Sequence, residues 1–207
     1  MLFSGSLIAM ISGAVIVLVT ITVHELAHGY VAYLLGDNTA KDAGRLSLNP
    51  LAHLDPLGAI LLFVTGFGWA KPVPINPFYF KGNRSRGVML VSVAGPLSNI
   101  LLAFILAMLI PLAVKFNMSL AQIIASAIYL NIYMAIFNLL PIPPLDGSKI
   151  LAGLIPKGAA YKYLSVMDKY GMILLLVLAI SNVFGRIISP IAGSIYTAFV
   201  SLALMLL

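Results

Sequence analysis

Apolar residues run along this chain in long blocks rather than alternating with polar ones. The first block extends from about Leu2 to Leu35 and is interrupted by His24, Glu25 and His28. A short block covers Leu57 to Phe67 and carries Gly58 and Gly66. A third runs from Val88 to Val114, a fourth from Leu120 to Leu140, and a last from Tyr170 to Leu207, broken near Asn182, Gly185 and Arg186. A helix needs roughly 20 apolar residues to cross a hydrocarbon layer, so blocks one, three and four are predicted to span. The second is too short and predicts a re-entrant or interfacial segment. The last predicts either one span plus a partial helix or a tight helical hairpin. The pattern as a whole predicts an all-α polytopic membrane protein with about four to six transmembrane or re-entrant helices.

Composition agrees. Of 207 residues, 61% are hydrophobic and 9% charged, against about a quarter charged in a soluble domain. The lipid bilayer is therefore an expected partner. The length predicts a single transmembrane domain over residues 1–207, and no cleaved leader is expected. With no cysteine, disulfides and thiolate metal sites are excluded. The net charge of +6 does not point to nucleic acid, because the basic residues lie between apolar blocks, where anionic lipid is the natural partner. Residues 69–87 carry Lys71, Lys81, Arg84 and Arg86, and residues 141–169 carry Lys149, Lys157, Lys162 and Lys169. Both segments are expected in the cytoplasm. The N-terminus then faces outward if the second block does not cross; if it does cross, the first helix is inverted. Oligomeric state is not legible.

The chemistry concentrates in His24-Glu25-Leu26-Ala27-His28. On a helix, positions i and i+4 share one face, so both imidazoles can reach one tetrahedral zinc ion. Glu25, beside the first imidazole, stands where the general base of metal-assisted hydrolysis is needed. The plainer alternative is polar packing inside a bundle. Against it, each ionisable residue in a span costs about 2.5–3.5 kcal/mol on insertion scales, and this chain places its only Glu and two of its three His within five residues.

A catalytic zinc usually takes three protein ligands. With no second Glu, the remaining candidates are His53 and the five Asp. Asp37, Asp42 and Asp55 follow the first block and read as solvated or capping residues, and Asp168 reads as a helix cap. Asp146 stands apart. Pro141, Pro143 and Pro144 stop the fourth helix, and Asp146-Gly147 then allows a sharp turn. Such irregular backbone at membrane depth is tolerated where it lines protein or a polar cavity. An ordinary Asp-Gly turn at the surface is the alternative. Asn99 reads equally as an oxyanion or substrate contact and as interhelical glue. Asn138 reads the same way, or as a brace for the Pro-rich loop. His53 is a second-layer partner, an alternative ligand or a surface histidine. The Pro-spaced segment Trp69 to Pro77 is expected to be extended. Either it pairs with an unwound substrate, or its Trp69 and Tyr79 sit at the membrane interface.

His24-Glu25-x-x-His28 with a distant Leu145-Asp146-Gly147 resembles the site-2 protease family of intramembrane zinc metalloproteases. Gly95-Pro96-Leu97-Ser98-Asn99 is similar to the family's G-x-x-x-N segment. Asn49-Pro50-x-x-His53-x-Asp55-Pro56-x-Gly58 is similar to a segment of its short prokaryotic members. The resemblance implies one zinc per chain, His24, His28 and Asp146 as ligands, and Glu25 as base. It also implies a substrate that is a transmembrane segment of another protein. No PDZ or CBS domain is expected. The topology puts the active site toward the cytoplasmic side of the cell membrane. A different class also places His and Asp in a bilayer: a metal transporter or sensor without protease activity. Such a protein is expected to show repeated halves, which this sequence lacks; an inactive scaffold that kept the metal site is a further rival. Zinc flux in proteoliposomes, measured beside cleavage of a tethered transmembrane reporter, separates these.

Overall fold

The computed structural model describes residues 7–58 and 70–206. Nearly all of the short block from Leu57 to Phe67 lies outside the described residues, and so does Trp69. Eight α-helices lie wholly within the described residues, in chain order: α1 (Leu7–Leu34), α2 (Thr39–Asp42), α3 (Arg84–Met108), α4 (Ile110–Phe116), α5 (Met118–Asn138), α6 (Asp146–Leu154), α7 (Lys157–Ile180) and α8 (Val183–Met205). No strand occurs among the described residues. Five of the helices, α1, α3, α5, α7 and α8, are long and apolar enough to cross a membrane. The chain is an all-α, multi-pass membrane protein.

Local chemistry sets the helix limits. Asn83 and Asn117 cap α3 and α5, their side chains accepting from the amides of Arg86 and Ser119. The third apolar block does not stay one helix: Pro111 falls in the first turn of α4. There its ring would clash with the carbonyl four residues earlier in a continuous helix. The last block is a helical hairpin. Asn182, at φ 54°, makes the left-handed turn between α7 and α8, a conformation Asn tolerates better than most residues. Because α7 starts at Lys157, the residues Lys157, Lys162, Asp168 and Lys169 sit on a helix rather than in a loop. Asp168 is therefore not a cap. The change in polarity near Tyr170 marks where this helix becomes apolar, not where it begins.

Helix α3 lies at the centre, packed against α1, α5, α6 and α8. It runs antiparallel to α1: the Lys81 amide donates to the Leu35 carbonyl at 2.7 Å, so the end of α1 and the start of α3 lie at the same end of the bundle. Ala103 and Ala107 on α3 pack with Ile128 and Ile132 of α5 and Ala192 of α8, small residues letting the backbones approach closely. Leu, Ile and Val side chains on the outer faces of α1, α7 and α8 are exposed, as a lipid-facing surface requires. The Pro-rich loop is itself core: Ile142 and Leu145 are buried against Leu175, Phe184 and Ile188. Asp37, expected to be solvated or capping, is fully buried. It accepts from the amides of Thr39 at 2.9 Å and Asn76 at 2.6 Å and from the Thr39 hydroxyl. It thereby joins the start of α2 to the 70–76 segment.

Candidate metal centre

Helix α1 brings His24 and His28 to one face, one turn apart, with their Nε2 atoms 3.1 Å from each other. Both are buried, and they face α3 at Gly95. A Cβ there would lie 2.5 Å from Nε2 of His28 and 2.7 Å from Cε1 of His24. Only glycine leaves room for the two rings. The third donor arrives from the far end of α5. After Asn138 the prolines turn the chain back, and α6 opens on Asp146. Gly147 allows this by close approach rather than by an unusual turn: its φ is not positive, and a Cβ on it would run into the backbone of Leu139 and Leu140. Oδ2 of Asp146 then lies 3.2 Å from Nε2 of His24 and 3.1 Å from Nε2 of His28. Its Oδ1 lies 3.9 Å from Nζ of Lys149.

The three donor atoms therefore form a nearly equilateral triangle. Ligand atoms about 2.0–2.1 Å from one zinc at tetrahedral angles stand about 3.3 Å apart, so the triangle fits that ion. The outer nitrogens support this. Nδ1 of His24 lies 2.6 Å from Oδ1 of Asn99, and Nδ1 of His28 lies 2.7 Å from the Val91 carbonyl. Both partners can only accept, so each Nδ1 carries the proton and each Nε2 presents a lone pair inward. Two lone pairs and a carboxylate meeting at this distance repel unless a cation sits among them.

The other expected residues are placed as follows. Glu25 is partly buried, and its Oε2 accepts the Val73 amide at 2.8 Å. Asn99 is fully buried with its amide committed: besides His24, it donates to the Thr20 carbonyl at 3.1 Å and to Oδ1 of Asn131 at 2.9 Å. Its amide thus joins His24 to Thr20 and Asn131. Asn138 donates back to the Met134 carbonyl of its own helix and is not part of the triangle. His53 is buried rather than at the surface, with Nε2 on the Ser47 carbonyl at 2.8 Å. The outer nitrogens of His24 and His28 are held by Asn99 and the Val91 carbonyl, so His53 takes neither place. The Asn49–Gly58 segment is a run of caps, with Asn49 accepting from the Leu51 amide and Asp55 from the Gly58 amide. Asn131 went unnoticed in the sequence. It is buried in α5, donates to Thr20 Oγ1 at 3.0 Å and carries the Asn99 network into a third helix. The signal for it was an amide in the middle of an apolar block.

Fold and donor set together define a polytopic helical membrane protein with a zinc-hydrolase centre. Comparison with known proteins gives the family. The model of Peptidase family M50 matches residues 113–180. "Putative zinc metalloprotease YwhC" of Bacillus subtilis is 46% identical over 185 residues, covering 86% of this chain and 84% of its own. "Putative zinc metalloprotease MJ0611" of Methanocaldococcus jannaschii is 35% identical over 153 residues, 73% and 71% of the two chains. "Putative zinc metalloprotease Rip2" of Mycolicibacterium smegmatis is 29% identical over 179 residues, 82% and 66%. No solved structure matches the chain. The chain belongs to peptidase family M50, the site-2 protease family. It is a zinc metalloprotease.

Proposed function

We propose that this protein hydrolyses peptide bonds in or near transmembrane segments of other membrane proteins, with residues 1–207 acting as one transmembrane domain. The observation that carries the reading is the buried triangle of His24, His28 and Asp146, two of whose members sit on a helix long enough to span. His24 and His28 stand ten and six residues before Leu34, the end of α1, or about 15 and 9 Å by helical rise. That depth falls inside a hydrocarbon layer about 30 Å thick, where a substrate carbonyl is met in a membrane span. The ends of α1 and α5 nearest the site lie beside Lys81, Arg84, Arg86 and Lys149, which supports a cytoplasmic-facing site.

In this reading His24, His28 and Asp146 hold one zinc ion. Bound there, zinc would acidify water and polarise a carbonyl. Asn99 and the Val91 carbonyl orient the two imidazoles. Glu25 takes the proton from the attacking water as its oxygen bonds to the carbonyl carbon. The C–N bond then breaks, and Glu25 returns the proton to the leaving amine, giving a carboxylate and an amine. A substrate helix keeps its carbonyls in hydrogen bonds, so it must unwind locally first. The test is a Glu25→Gln variant that retains one zinc, assayed on a tethered transmembrane reporter. Loss of cleavage is expected, and a wild-type rate sinks the mechanism.

A further inference from the structure

We infer that residues 71–76 form a fixed strap that positions Glu25, with Arg45 as its clamp; this rests on Glu25 acting as the base. The strap offers few amides. Pro72 and Pro74 have none, so Val73 alone carries an N–H between them, and that N–H donates to Glu25 Oε2 at 2.8 Å. No other hydrogen bond to Glu25 is found among the described residues, so this one amide fixes the carboxylate and leaves Oε1 for the proton.

The strap is held on both sides of Val73. Upstream, the buried Arg45 donates to two successive carbonyls, Lys71 at 2.6 Å and Pro72 at 3.3 Å. The Lys71 amide meanwhile donates to the His53 carbonyl at 3.0 Å. Downstream, the Asn76 amide is held by buried Asp37 at 2.6 Å. Between these anchors the Val73 side chain rests against α1 one turn beyond Glu25, at Gly29, where a Cβ would come within 3.0 Å of Val73 Cγ1 and 2.8 Å of Leu46 Cδ2. No carboxylate pairs with Arg45 among the described residues. A buried guanidinium without a counter-ion is costly, and what it obtains here is the position of the two carbonyls preceding Val73. Arg45 is thus a positioning residue that acts through the strap. Three of the strap's four amides, those of Lys71, Val73 and Asn76, are thus held by His53, Glu25 and Asp37.

The test uses the full zinc-loaded chain with the tethered reporter, and amide exchange of the labelled protein in detergent. In Arg45→Met, Val73 amide exchange is expected to rise at least tenfold while that of Asn76 stays unchanged. kcat should fall by about a hundredfold, the cost of misplacing a reacting group by about 1 Å. KM and zinc content should hold. Val73→Pro deletes the donor and leaves Arg45 in place, and should show the same loss of kcat at full zinc content. Wild-type kcat in either variant overturns the inference, as does a loss of kcat that tracks loss of zinc. Glu25→Gln runs beside them. If it is inactive while Arg45→Met is wild-type, the strap inference alone fails; if it cleaves normally, the base reading fails and the strap with it.

Discussion

Oδ1 of Asn99 lies 2.6 Å from Nδ1 of His24, a contact between α3 and α1. It fixes the tautomer and direction of a zinc-facing imidazole, and Asn131 and the Thr20 carbonyl fix Asn99 in turn. Asn99→Ala should therefore weaken zinc binding by about 10–100-fold, the usual cost of losing such a partner. Competition with a chelator measures this. An oxyanion role makes the opposite forecast, with kcat lost and zinc affinity intact.

The pair also shows what a sequence can tell. His24-x-x-x-His28 was legible because helical periodicity alone places both rings on one face. Asp146 was singled out among the five Asp by the prolines before it and by the family resemblance. Asn99 was drawn out by the Gly95-x-x-x-Asn99 segment, but its partners lie far off in sequence, 75 residues away at His24 and 32 away at Asn131. His53 and Asp37 looked like loop residues. Their burial comes from residues 36–58 folding onto the 70–76 strap, a long-range event without a local periodic signal. The spans in blocks one, three and four were plain from length, whereas the start of α7 was hidden by a helix whose first turns are polar.

Gly95→Ala should abolish zinc binding while leaving the helices formed. The added methyl would meet both imidazoles at 2.5–2.7 Å, well inside van der Waals contact, and neither ring can retreat without leaving Asn99 or Val91. Gly193→Ala is the control, because a Cβ there meets nothing within 4 Å. Zinc content of the two purified variants decides it. A zinc-replete Gly95→Ala protein contradicts the described approach of α1 and α3.

The orientation can be read chemically, because the chain has no cysteine of its own. Phe116→Cys and Ser181→Cys lie at the ends of α4 and α7 away from the basic residues of the α3 and α7 starts. Both should react with a membrane-impermeant maleimide in intact cells. Lys41→Cys and Gly158→Cys should react only after permeabilisation. Labelling of residues 116 and 158 from the same side is incompatible with α5 crossing once.

Gly147→Ala keeps all three zinc donors yet should still lose the metal. A Cβ at residue 147 runs into the backbone of Leu139 and Leu140, which are held by the end of α5 and cannot yield as a flexible side chain would. Helix α6 must shift instead, at about 1–3 kcal/mol for such overpacking, and Asp146 is its first residue. The shift moves Oδ2 away from two nitrogens that it meets at 3.1–3.2 Å. Asp146→Ala removes the same ligand outright and should weaken zinc more than Asn99→Ala does, since a donor rather than its support is lost. Isothermal titration of zinc into the chelator-stripped variants ranks them. Wild-type affinity in Gly147→Ala contradicts the idea that this close approach delivers the carboxylate, whatever Asp146→Ala does.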